Sequence, residues 1–90
     1  IATLCSEIVE LCLPAAQKGN KWAVSDAGVA VALAEASMRG ALLNVEINLA
    51  SIKDESYVAK MRAKMDEITA GKAALKEQVL EIVLQTVRGQ

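Results

Sequence analysis

The stretch from Asp26 to about Ser51 constrains the fold most, because it reads as one helix built almost wholly from small and aliphatic side chains. Gly28, Ala32, Ala36 and Gly40 recur at every fourth position, so they form a shallow groove along one side. Each glycine costs about 1 kcal/mol relative to alanine inside a helix, and close contact with another helix is the compensation that pattern suggests. Two carboxamides, Asn44 and Asn48, interrupt the apolar run one turn apart. An enclosed amide needs partners for its donors and its acceptor, so such a pair serves either to fix a packing register or to hold a ligand. At about 100° per residue, Glu35, Arg39, Glu46 and Lys53 share one narrow sector, with Glu35 and Arg39 spaced as an i,i+4 pair. That charged sector is expected to face water. Ser37, Gly40, Asn44, Asn48 and Ser51 gather on the opposite side, which is then expected to face inward.

The remaining sequence supplies two further helices. The first runs from the start to about Lys18, with Leu4, Ile8, Leu11, Cys12 and Ala15 at helical spacing. Pro14 lies inside it, which predicts a kink near Val9 and Glu10, and Gly19 is expected as a left-handed stop. Ser25 reads as the N-cap of the second helix, with Asp26 in its first turn. Asp54 caps a third, which runs from Glu55 to about Val87 with a seam of Val58, Met61, Met65, Ile68, Leu75, Val79 and Ile82. Gly71 and Lys72 mark a weak point in it. The expected fold is all-α, an antiparallel bundle of three helices.

Composition points beyond this chain. With 90 residues, no Phe, one Trp and one Tyr, the core must come from Ala, Val, Leu, Ile and Met. Alanine buries little area, so such a chain needs more helices to pack against than it supplies. Residue 1 is Ile with the helical pattern already running, so the expectation is a part of a larger helical domain, an obligate oligomer, or both. The net charge of −1 and the lack of a basic stripe with interleaved aromatics argue against a nucleic-acid partner. No run of about 18 uncharged apolar residues occurs, which argues against a membrane span. Having no His, the segment offers no imidazole for acid–base work or for metal ligation. Cys5 and Cys12 share a helix face and read as reduced core thiols in a cytoplasmic protein.

The residues Gly19-Asn20, Ser25-Asp26 with Val29-Ala30, Gly40-Ala41, Asn44-Val45 and Ile47-Asn48-Leu49 resemble the cyclodeaminase/cyclohydrolase family of folate one-carbon enzymes. Asp54 falls where that family has an acid opening the next helix. The resemblance extends over residues 1–90, with its motifs between Lys18 and Asp54. It implies the C-terminal half of such a domain, because the family's Pro-Gly-Gly-Gly-Ser-type loop is not in this segment and members are about twice as long. The implied activity is that of a formimino-tetrahydrofolate cyclodeaminase, which forms methenyl-tetrahydrofolate and ammonia. The alternative is a methenyl-tetrahydrofolate cyclohydrolase. The substrate is then a tetrahydrofolate derivative with no metal, and the assembly a homodimer completed by an N-terminal half of the same domain.

Under that resemblance Asp26 serves as polar anchor or proton relay, Asn20, Asn44 and Asn48 orient the folate, and Lys18 and Lys21 meet its anionic tail. Each residue also has a purely structural explanation. Asp26 can compensate a helix dipole, Asn20 can make a turn, and Asn44 and Asn48 can bond a neighbouring helix. A non-catalytic helical oligomerisation module therefore stands as a third reading.

Overall fold

The computed structural model describes residues 1–89, and for Lys21 it describes the backbone alone. Four helices account for nearly all of it: α1 (Ala2–Lys18), α2 (Lys21–Leu49), α3 (Glu55–Thr69) and α4 (Lys72–Val87). The all-α antiparallel arrangement is as expected. The long third helix is realised as two segments, α3 and α4, separated at Ala70 and Gly71. Gly71 takes φ 75°, a left-handed conformation that favours a residue without Cβ, and this turns the weak point into a break.

Helix starts follow local chemistry. The Asn20 side chain accepts hydrogen bonds from the backbone N–H groups of Trp22 and Ala23 at 3.1 and 3.0 Å. These donors have no partner inside the helix, so Asn20, not Ser25, is the N-cap, and α2 begins five residues earlier than expected. Asp26 therefore lies beyond the first turn. Asp54 does cap α3, accepting from the N–H of Tyr57 at 3.1 Å. Gly19 ends α1 in an extended conformation, φ −83° and ψ 158°, not in the left-handed one. The helix runs through Pro14 without interruption.

The core lies where α1, the first half of α2 and α4 meet. Val9, Cys12 and Ala16 pack there against Val24, Ala27, Val31 and Ala34, with Val79 and Val83 closing the third side. Gly28 permits the α2–α4 approach, since a Cβ there would lie 3.1 Å from Val83 Cγ1. Further along, α3 takes over from α4 beside the second half of α2, where Leu49 and Met65 are buried. Ser6 Oγ donates to the Ile68 carbonyl at 2.9 Å and ties α1 to the end of α3. The result is a rod, 54 × 16 × 15 Å.

The orientation of α2 corrects the sequence expectation. Glu35 is buried at 4% exposure, paired with Arg39 and lying 4.0 Å from Lys76 Nζ on α4. Glu46 is half-buried and meets Arg62 of α3 at 3.2 Å. The two carboxylates of the charged sector therefore face α4 and α3, where Lys76 and Arg62 meet them, while Arg39 and Lys53 stay exposed. Ser37, Gly40, Asn44, Asn48 and Ser51 are exposed on the other side.

That open side is also apolar. Val29, Leu33, Leu43 and Ile47 are 58 to 70% exposed, and Ala32, Ala36 and Gly40 lie among them. The span Trp22–Leu49 is long and apolar enough to cross a membrane by length and composition, with a hydropathy of 1.2. It carries Asp26, Glu35, Arg39 and Glu46, and two of these are committed to ion pairs with α3 and α4. A helix apolar around most of its circumference, yet pinned along one edge by salt bridges, has the character of a central helix that other helices surround.

Candidate functional site

The amides Asn44 and Asn48 line a cleft of about 380 Å³ between the second half of α2, the first residues of α1 and the α3 seam. Their one-turn spacing puts both on the same edge of α2, with Ala41 and Val45 below them. Met61, Met65 and Ile68 form the opposite wall from α3, and Lys64 is its one charged side chain. The cleft is thus an apolar trough with two carboxamides and an ammonium along its rim. Both asparagines are exposed, and among the described residues no hydrogen bond occupies either side-chain amide. Each can therefore offer two donors and an acceptor to a ligand without breaking an existing contact.

The other sequence candidates lie elsewhere. Asn20 is spent on capping α2. The side chain of Lys21 lies outside the described residues. Asp26 is exposed on the open side of α2. At 1.5 Å per residue, about 27 Å of helix separates Asp26 from Asn44, and about 36 Å separates Asn20 from it. One chain therefore does not bring its two sets of candidates together: Asn44 and Asn48 stand at one end of α2, Asn20, Lys21 and Asp26 at the other.

Other polar groups explain themselves structurally. Cys5 and Cys12 are both free and buried, and burial pushes the Cys12 thiol above its ordinary pKa, which suits a packing role and not a nucleophile. Lys72 reaches Glu10 at 2.9 Å and fastens α4 to α1. Among the described residues no three Cys, Asp or Glu side chains are grouped to hold a metal. The sequence reading did not include Lys64 in the site, and it took Met61 and Met65 only as seam residues. Nothing local distinguishes Lys64 from Lys60, the other lysine of α3, since its place on the cleft depends on how α3 meets α2.

Comparison with known proteins gives a consistent result. The formiminotransferase-cyclodeaminase family matches residues 1–67, which takes in α1, α2 and most of α3. A methenyltetrahydrofolate cyclohydrolase of Methylorubrum extorquens is 36% identical over 84 residues, or 93% of this chain. The chain spans about 40% of that relative's length. No solved structure matches.

Proposed function

The chain belongs to the formiminotransferase-cyclodeaminase family, and from that premise we propose that it forms part of a folate one-carbon enzyme whose ligand sits against Asn44 and Asn48. The observation that carries this reading is the cleft itself: two unengaged carboxamides one turn apart over an apolar floor. A pterin is flat, with an edge of alternating donors and acceptors, so apolar walls and carboxamides on one rim match it.

The reaction we favour is methenyl-tetrahydrofolate cyclohydrolysis. Support comes from the cyclohydrolase relative, whose similarity runs along nearly the whole of this chain. Water adds to the methenyl carbon, one of its two ring C–N bonds breaks, and the freed nitrogen and a released proton balance the addition. The cyclodeaminase reading is favoured by the family's description. There one folate nitrogen attacks the formimino carbon on its neighbour, and ammonia leaves with the proton it needs. Both reactions depend on holding the bridge carbon and its two nitrogens in register while a proton moves, so positioning groups do most of the work. In this reading the asparagines orient the pterin, and the domain is completed by an N-terminal half.

The test is turnover by the full-length protein with methenyl- and with formimino-tetrahydrofolate, for the native sequence and for Asn44→Ala and Asn48→Ala. Each substitution should weaken folate binding or turnover roughly tenfold or more, through lost hydrogen bonds to a bound ligand. Because both side chains are exposed, stability should stay within about 0.5 kcal/mol. Native activity on neither substrate would remove the enzyme reading. Variants that changed assembly and left folate binding intact would favour a scaffold instead.

A further inference from the structure

Most basic side chains around α2 are already spent on carboxylates. Arg39 meets Glu35, Arg62 meets Glu46, Lys72 meets Glu10, and Lys76 meets Glu35 and Glu77. Lys60 and Lys64 of α3 take part in no ion pair. Lys64 lines the Asn44–Asn48 cleft, and Lys60 stands one turn before it on α3, about 40° further round.

This pair works against the helix that carries it. Like charges four residues apart destabilise a helix by a few tenths of a kcal/mol. No acid lies three or four residues from Lys60, and Glu67, three residues after Lys64, does not pair with it. Two uncompensated ammonium groups thus stand at the edge of an apolar trough, where a low-dielectric wall concentrates their potential toward a ligand.

Register sets these groups against the carboxamides. Glu46 meets Arg62 at 3.2 Å across the antiparallel α2 and α3. Two residues back along α2 and two on along α3, Asn44 comes level with Lys64. Two residues on and two back, Asn48 comes level with Lys60. The cleft lining agrees, since it runs from Ala41 to Asn48 on one wall and from Met61 to Ile68 on the other.

We propose that Lys64 and Lys60 bind the carboxylates of the ligand's glutamate tail, so that the cleft selects folates over pteridines that lack glutamate. The tail leaves the trough past Lys64 and passes Lys60 on its way to solvent. Side chains one turn apart start about 5–6 Å from each other, a spacing that long, flexible lysines can match to the two carboxylates of one glutamate. The sequence expectation gave this task to Lys18 and Lys21, but those flank Asn20, about 36 Å of helix from Asn44. The unpaired charges stand on the structure, whereas the identity of the anion rests on the folate reading above.

The experiment compares methenyl-tetrahydrofolate with methenyl-tetrahydropteroate, the same ring system without glutamate, on the full-length protein. Two exposed ion pairs worth about threefold each give the native protein a preference of about tenfold for the glutamate-bearing ligand. The double variant Lys60→Gln, Lys64→Gln should cut that preference below twofold, and 0.5 M salt should shrink the native preference in the same way. The variant should also melt no lower than native, because it removes a like-charge pair. A native protein that does not discriminate, or a double variant that weakens both ligands equally, overturns the proposal. A second readout needs no pteridine. Millimolar N-(4-aminobenzoyl)glutamate should shift the NMR methyl signals of Met61 and Met65 in the native protein and leave them in place in the double variant. Absence of a native shift overturns the tail site. Native protein that turns over neither folate substrate retires the folate reading, and the methyl shifts then still decide whether these lysines hold an anion.

Discussion

Replacing Glu35 by Ala tests which side of α2 is buried. The carboxylate is 4% exposed, paired with Arg39 and 4.0 Å from Lys76 Nζ on α4. On a water-facing helix the same substitution would remove an i,i+4 pair worth roughly 0.3–0.5 kcal/mol. Here two larger contributions enter. About 0.8 kcal/mol follows from the one buried methylene group, Cγ, that alanine lacks. Loss of the charge-assisted bond to Arg39 adds the low end of roughly 1.5–3 kcal/mol, because the Arg39 side chain is 63% exposed and already screened by water. Rehydration of Arg39 and Lys76 offsets part of the sum, leaving a net destabilisation of about 1–2 kcal/mol. For a chain of this size that is a fall in Tm of about 5–15 °C. Urea unfolding followed by circular dichroism measures it, with Glu46→Ala as the internal comparison. The Glu46 side chain is 44% exposed and its partner Arg62 54%, so that change should stay below about 1 kcal/mol. If both variants fall within about 0.5 kcal/mol of native, the charged edge faces water and the orientation of α2 given above is wrong.

Three further outcomes follow from the same packing. Gly71→Ala should destabilise by about 1–2 kcal/mol although its Cβ would meet nothing within 4 Å, because φ is 75°; thermal melting showing no loss would mean that the break tolerates an ordinary helical residue. Ser6→Ala removes the 2.9 Å bond to the Ile68 carbonyl and should lower stability by about 1 kcal/mol in urea, and an unchanged midpoint would show that α1 and α3 are not joined there. The Cys12 thiol is pushed above its ordinary value of 9.0 by burial, so the folded chain resists ionisation that the unfolded chain undergoes. Stability is then undiminished below that value and falls as pH rises above it, by up to about 1.4 kcal/mol per pH unit. Cys12→Ala should flatten that alkaline limb, and an equally steep limb in the variant would assign it to other groups.

Much of the fold is written locally. Asp54 ahead of a seam announces the start of α3, and Gly71 inside an otherwise good helix announces its end, since one supplies a cap and the other backbone freedom. Asn20 reads from sequence as a polar turn residue and Ser25 as the cap, whereas the cap is Asn20, five residues earlier. What the sequence of α2 could not show is which of its two polar stripes points inward. A helical wheel separates Glu35 and Glu46 from Asn44 and Asn48 without saying which pair other helices cover. That choice was made by Lys76 and Arg62, forty-one and sixteen residues away, whose charges meet the carboxylates. The pairing of Asn44 with Asn48 was legible because one turn of helix fixes it. The distance of Asp26 from them follows equally from the length of helix between, and it places Asp26 outside the cleft that they line.

The central claim of the proposed function is that a folate lies on the carboxamide rim of α2. A crystal structure of the full-length protein with methenyl-tetrahydrofolate bound tests it most directly. Pterin atoms are expected about 2.7–3.2 Å from the amides of Asn44 and Asn48. A ligand bound away from α2 would contradict it.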